Sequence, residues 1–140
     1  MMKLSTKSRY ASRALIELGL QYGKGPVKLK DIAAVQDISL KYLEQVMFPL
    51  RVGGYVKTLK GSQGGYILAR PPESTTLLEI VECVEGPIAP VDCVDHIELC
   101  GRAEHCVTRD VWIGLKDVIR NELGSITLLD LVEKQKLLSV

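Results

Sequence analysis

Three cysteines in the second half of the chain have the type and spacing that could hold a metal. Cys93 and Cys100 are separated by six residues, and Cys100 and Cys106 by five. Thiolates are preferred protein ligands of soft metals and of iron-sulfur clusters, so this segment is a candidate metal or cluster site. The spacing matches no common zinc finger, and ordinary thiols are the alternative. A fourth ligand has several nearby candidates: His105, His96, Asp92, Asp95, Glu98 and Glu104.

A second set of polar side chains begins at Ser39, a good helix N-cap. Apolar residues then recur at intervals of three and four and predict the buried stripe of an amphipathic helix: Leu40, Leu43, Val46, Met47 and Leu50. The outward positions at the start of this helix are free to touch a partner: Ser39, Lys41, Tyr42, Glu44 and Gln45. Pro49 predicts that the helix kinks or ends there.

The chemistry of these outward side chains suits double-stranded DNA. An α-helix fits the major groove, where Gln45 can pair with adenine and Glu44 can accept a hydrogen bond from cytosine. Ser39, Lys41 and Tyr42 can hold phosphates. We therefore expect the five residues to form a DNA-reading surface, with a plain solvated side chain as the alternative for any single one.

A glycine-tipped hairpin follows this helix. Residues 55–60 and 65–69 have the composition of two short strands, joined by residues 61–64. Lys57, Lys60, Ser62 and Gln63 lie on the hairpin and are expected to contact the DNA backbone or the minor groove. Further basic residues would add a sequence-independent attraction to phosphates: Lys3, Lys7, Arg9, Lys28 and Lys30.

The elements that position these residues follow a recognisable order. A helix from about Ser5 to Tyr22, a short helix around Ile32, a tight turn, the helix after Ser39 and the hairpin together predict a winged helix-turn-helix. In the second half, Thr76 and Glu79 have the spacing of a capping box that opens a fourth helix.

The rest of the second half predicts two more helices after an irregular stretch. Residues 86–105 have no sustained period, residues 107–123 predict a long helix, and a last helix starts near Thr127. The fold class is therefore mainly α with a small β-hairpin wing and a long C-terminal helix. We expect a DNA-binding domain over 1–72 and a second, cysteine-loop region over 73–140.

Length and charge agree with this division. The chain has 140 residues, 46% of them hydrophobic and 25% charged, as in a folded globular protein. Residues 1–72 hold twelve Lys and Arg against four Asp and Glu, while residues 73–140 hold six against thirteen. A basic half beside an acidic half indicates nucleic-acid binding by the basic part. No stretch is apolar enough to span a membrane or serve as a signal peptide, so we expect a cytoplasmic protein.

Four segments of the chain resemble one known family. Residues 3–11, 38–45, 60–66 and 106–112 are similar to bacterial winged-helix regulators that include IscR, NsrR and CymR, and most similar to IscR-like members, whose cysteine loop is usually one residue shorter between the first two cysteines. The resemblance implies a homodimer on a palindromic operator, with residues 73–140 as a cysteine-loop sensing and dimerisation region and the long C-terminal dimerisation helix as the dimer core. It also implies that Cys93, Cys100 and Cys106 hold an iron-sulfur cluster, [2Fe-2S] rather than [4Fe-4S], that changes operator affinity.

Two positions depart from the pattern of this family. Arg109 stands where IscR-like members have a ligand histidine, and arginine has no lone pair for a metal. Arg9 stands where NsrR-like members have a ligand carboxylate. The fourth ligand is therefore unassigned, with His105 as the candidate. CymR-like members lack the cysteines and work through a protein partner, so the three thiols argue against that mode.

Other classes of function remain to be compared with this interpretation. A cluster-free regulator with a thiol or zinc switch is one alternative, and a protein-interaction module acting through the acidic half is another. An enzyme is the weakest, because the sequence shows no nucleophile-base pair, phosphate-binding loop or metalloprotease motif. We therefore expect no small-molecule substrate and no membrane partner.

Overall fold

The computed structural model describes residues 4–138 and consists of seven α-helices and one hairpin. The first half contains α1 (Thr6–Leu20), α2 (Leu29–Gln36), α3 (Leu40–Val52), β1 (Val56–Leu59) and β2 (Gly65–Leu68). The second half contains α4 (Leu77–Glu85), α5 (Asp92–Asp95), α6 (Val107–Gly124) and α7 (Leu128–Leu138). Within the described residues, no helix is both long and apolar enough to cross a membrane.

Side-chain caps set the starts of several helices. The Ser39 hydroxyl accepts a hydrogen bond from the Tyr42 backbone N–H at 3.1 Å, which confirms the predicted start of α3. Thr76 and Glu79 form both hydrogen bonds of the predicted capping box at the start of α4. These bonds satisfy backbone groups that a helix end leaves unpaired, so the starts are defined locally.

The third helix differs from the prediction at Pro49. It continues through Pro49 and ends at Val52. Proline removes the bond that its N–H would give to the carbonyl of Gln45, and Gln45 is exposed, so water can take that place. Only one further turn follows the proline before Gly53, which bonds back to the Pro49 carbonyl at 2.9 Å.

One hydrophobic core joins the two halves of the chain. Side chains of α1, α2 and α3 pack around Leu15, Leu43 and Met47, none of which is exposed to solvent. Ile80 of α4 and Val132 of α7 belong to the same core. The second half therefore supports the helices that carry the candidate reading surface.

A close approach of two helices makes this shared core possible. Gly19 of α1 lies against α7, and a Cβ atom at this position would come within 2.4 Å of the Val132 Cγ2 atom. The starts of α4 and α7 are also joined, because Leu77 and Leu128 donate hydrogen bonds to the carbonyls of Ile126 and Thr75, each at 2.8 Å. The last helix is thus fixed to both α1 and α4.

The long helix α6 is much less covered than the others. Every one of its residues keeps part of its surface exposed. The predicted apolar face divides in two, because Ile119 and Leu123 face the body of the protein while the other members face solvent. The solvent-facing members are Val107, Val111, Trp112, Leu115 and Val118. A contiguous exposed apolar stripe of this kind is unusual on the surface of a monomer.

Candidate nucleic-acid interface and cysteine loop

The outward face of α3 carries the predicted reading residues. Ser39, Lys41, Glu44 and Gln45 are all exposed, and none of their side chains takes part in the core. They lie within the first two turns of the helix, the part that enters a major groove in helix-turn-helix proteins. The structure thus leaves these four side chains free for DNA.

Tyr42 differs from the other four predicted residues. It is half-buried and packs against the core, and its ring meets the ring of Tyr10 edge to face, with the centroids 5.6 Å apart. The sequence predicted that the Tyr42 side chain contacts a DNA phosphate. The sequence could not show the contact, because Tyr10 and Tyr42 lie on different helices.

The hairpin stands beside α3 as a wing. Residues 56–59 pair with residues 65–68 in antiparallel register. Val27, just before α2, extends this sheet by exchanging two hydrogen bonds with Tyr66, at 2.8 and 2.9 Å. The wing is therefore tied to the start of α2, which fixes its place relative to the reading helix.

Glycine is required at the tip of the wing. A Cβ atom at Gly64 would lie 2.0 Å from the carbonyl oxygen of Leu59, and Gly65 has a φ of +154°. The tight turn exposes all four predicted wing residues, Lys57, Lys60, Ser62 and Gln63. Lys7, Arg9, Lys28 and Lys30 are exposed as well, while Lys3 lies outside the described residues.

The cysteine loop contains more regular structure than the sequence indicated. Between Pro87 and Cys106 the chain forms α5 and two single-turn 3₁₀ helices, over Ile97–Leu99 and Ala103–His105. Cys93 lies in α5, Cys100 follows the first 3₁₀ turn, and Cys106 is the N-cap residue of α6. Single turns of helix carry too few residues for a period, so sequence patterns do not reveal them.

The arrangement of this loop does not fit a bound metal or cluster. Across residues 4–138, no group of three or more His, Cys, Asp or Glu side chains is placed to hold a metal ion. His105, the candidate fourth ligand, is exposed, and His96 pairs with Glu98 at 3.3 Å. The three cysteines are half-buried and free of disulfides. The cluster therefore remains a prediction from the resemblance.

Arg109 connects the cysteine loop to α6 through hydrogen bonds to the backbone. Its guanidinium donates hydrogen bonds to the carbonyl oxygens of Cys93 at 3.0 Å and Val94 at 3.5 Å. Lys116, two turns further along α6, pairs with Asp95. The segment around the first cysteine is thus attached to α6 by two cations. A bond from arginine to backbone carbonyls leaves no signal in a sequence, so only the fold reveals this role.

The surroundings of Cys106 and Cys83 shift the pKa values of their thiols in opposite directions. The hydroxyl of Thr108, 3.1 Å from the Cys106 sulfur, and the Arg109 N–H lower the pKa of the Cys106 thiol from its ordinary value. Burial raises the pKa of Cys83, whose thiol donates to the Pro49 carbonyl at 3.3 Å. Cys106 is the more reactive thiol of the two, and Cys83 packs as a small apolar residue.

Comparison with known proteins agrees with the geometry of α3 and the wing. Residues 4–134 match the Rrf2 family, described as iron-dependent transcriptional regulators. The chain is 41% identical over 130 residues to the HTH-type transcriptional regulator CymR of Bacillus subtilis, covering 93% of this chain and 89% of that protein. It is 37% identical over 139 residues to the regulator IscR of Xenorhabdus nematophila, covering 99% and 84%.

Solved structures show the same relationship. The structure of CymR, the global cysteine regulator of B. subtilis, superposes with a TM-score of 0.81 at 40% identity and covers 96% of this chain and 98% of that one. T. potens IscR superposes with a TM-score of 0.81 at 37% identity, covering 99% and 92%. These relatives are regulators of transcription and not enzymes. The winged-helix fold is confirmed, and the chain belongs to the Rrf2 family of DNA-binding transcriptional regulators.

Proposed function

We propose that this regulator binds a palindromic DNA operator as a homodimer and reads it with the first two turns of α3. The observation that carries the proposal is the exposed polar face of α3 beside an exposed basic wing. Gln45 and Glu44 read base edges, while Lys41 and the wing lysines contact phosphates. The Ser39 hydroxyl accepts a hydrogen bond at the start of α3 and can still donate one to a DNA phosphate.

The dimer brings two reading helices to one operator. The solvent-facing stripe of α6 is apolar along the length of the helix, with Val111 61% and Val118 64% exposed. A second copy of the same stripe is its natural cover, because two α6 helices can bury these side chains against each other about a two-fold axis. A palindromic operator then requires the two α3 helices to meet half-sites about one turn of DNA apart, roughly 34 Å.

The cysteine loop is the regulatory segment in this proposal. Arg109 and Lys116 attach the Cys93 segment to α6, so a change in the loop alters the helix that forms the dimer. Arg120 pairs with Glu82 and attaches the same helix to α4. A shift of α6 then changes the spacing of the two reading helices, which is sufficient to change operator affinity.

Two chemistries of the loop follow from the relatives and from the cysteines. IscR-like relatives favour an iron-sulfur cluster on Cys93, Cys100 and Cys106. Similarity to CymR favours a cluster-free regulator with a thiol or zinc switch. Anaerobic purification with iron, acid-labile sulfide and zinc measured per chain decides between them. Near-equal iron and sulfide support the cluster, and a colourless protein that still binds DNA supports the alternative.

The DNA-binding proposal is tested by selecting duplexes from a random pool with the purified protein. We expect a palindromic consensus, two chains per duplex, and affinity that falls steeply with salt. The slope of log affinity against log salt should be about −0.9 for each phosphate contact. Failure to enrich any sequence, or binding with no dependence on salt, would refute sequence-specific recognition.

A further inference from the structure

We propose that Arg13, together with Tyr10 and Gln36, positions the reading helix α3 by linking α1 to the helix-turn-helix. The inference rests on the proposed reading role of α3. It assigns a task in DNA recognition to residues that do not themselves touch base edges. The three side chains lie on α1 and at the end of α2, beside the turn that leads into α3.

The first part of the link holds the end of α2. Arg13 donates from Nε to the side-chain oxygen of Gln36 and from Nη2 to its backbone carbonyl, each at 2.6 Å. That carbonyl belongs to the last residue of α2, where helix carbonyls lack intrahelical partners. A cation at this end is favourable for the helix dipole too. The Gln36 side-chain amide in turn donates to the Glu17 carboxylate at 2.6 Å. Both the oxygen and the nitrogen of this amide are therefore hydrogen-bonded to residues of α1.

The second part of the link holds the start of α3. The Arg13 guanidinium lies over the ring of Tyr10, 5.3 Å from its centroid. Tyr10 meets Tyr42 of α3 edge to face, an arrangement that aromatic quadrupoles favour. Tyr10, Arg13 and Glu17 are spaced at three and four residues, so they share one face of α1. One face of α1 therefore contacts both the end of α2 and the start of α3.

The turn between these two contacts needs this support. The backbone of Asp37 takes a left-handed conformation, with a φ of +54°, which residues other than glycine rarely adopt. A cleft of about 460 Å³ opens beside it, lined by Thr6, Tyr10, Asp37, Ile38, Ser39 and Tyr42. Ile38 packs into the core on the inner side of the turn, and on the open side the hydrogen bonds to Gln36 and the tyrosine pair add to this packing in holding α2 and α3 against α1.

Substitutions of Arg13 separate positioning from simple attraction to phosphate. Lysine keeps the positive charge but cannot form the two-pronged contact with Gln36. We expect Arg13→Lys and Arg13→Met to lower the ratio of affinities for the selected duplex and a random duplex about tenfold, the factor of one charge-assisted hydrogen bond. If Arg13 merely attracts DNA, Arg13→Lys will match the wild type and Arg13→Met will weaken binding to both duplexes equally, which overturns the proposal.

A matched pair at Tyr10 tests the aromatic contact. Tyr10→Phe keeps the ring and should retain the affinity ratio, whereas Tyr10→Leu should lower it. Equal ratios in both variants would contradict the aromatic part of the link. Melting temperatures within a few degrees of the wild type show that a lowered ratio does not come from unfolding, and Arg13 is exposed, so its variants leave the core intact. A wild-type protein that enriches no duplex refutes the reading role itself, which is a different result.

Discussion

The close packing of α1 on α7 predicts the effect of a single added methyl group. A Cβ atom at Gly19 would lie 2.4 Å from the Val132 Cγ2 atom, where an ordinary contact begins at 3.4 Å. The Val132 side chain or one of the two helices must therefore move by about 1 Å, and overpacking of this kind costs about 1–3 kcal/mol. Alanine returns about 1 kcal/mol through its higher helix propensity. We expect Gly19→Ala to lower the free energy of unfolding by up to about 2 kcal/mol.

Gly124→Ala is the matched control for this substitution. A Cβ at Gly124, the last residue of α6, would lie 3.5 Å from the Leu78 Cδ2 atom, an ordinary contact. Urea denaturation at one fixed protein concentration should find this variant as stable as the wild type or up to about 1 kcal/mol more stable, because alanine is the better helix former and meets no clash here. The double variant Gly19→Ala/Val132→Ala should show a favourable coupling of about 1–3 kcal/mol, because the clashing methyl is gone. Additive effects, or a Gly19→Ala protein more stable than the wild type by the full helix-propensity gain of about 1 kcal/mol, would refute the packing.

Three further predictions concern the dimer, DNA reading and acid stability. Val111→Glu should convert the dimer to a folded monomer in sedimentation, and an unchanged dimer would exclude the α6 stripe as its interface. Gln45→Ala should relax discrimination at one base pair by about 1–3 kcal/mol, while Lys60→Ala should weaken binding to all duplexes and reduce the salt slope by about one. The N–H of Thr127 lowers the pKa of Asp130, so this carboxylate stabilises the fold above its ordinary pKa of about 4 and the contribution is lost as pH falls through the lowered value. The stability difference between wild type and Asp130→Ala should therefore shrink below about pH 4. A constant difference would contradict the stabilising hydrogen bond from the Thr127 N–H to the Asp130 carboxylate.

Much of the fold could be predicted because its signals are local. The starts of α3 and α4 depend on Ser39 and Thr76, which cap the backbone within three residues of themselves. The wing tip follows from its glycines, whose backbones alone fit the turn. The exposure of Gln45 follows from helical periodicity once the apolar stripe is known. Most of the candidate reading surface was therefore accessible without a structure.

The candidate site was less predictable where it depends on contacts between distant segments. Tyr42 shares the helical face expected for a DNA contact, but it is half-buried because it packs against the core and against Tyr10, thirty-two residues earlier. The two faces of α6 carry similar apolar residues, and the packing of α4 against one of them decides which face is covered. The spacing of the cysteines predicts a shared ligand set. Whether the three thiols lie close enough to bind one metal or cluster depends on how three short helical turns fold.

By itself, the sequence determined the order of helices, their caps, the turn of the wing and the polar face of α3, because each depends on residues within about one turn of one another. The tertiary structure decided which apolar stripe faces solvent, how Arg13 and Tyr10 hold the reading helix, and where the cysteines lie. It also showed that the Arg109 guanidinium donates to the carbonyl oxygens of Cys93 and Val94. Such contacts are set by the relative placement of whole helices, and that placement follows from burying one common core.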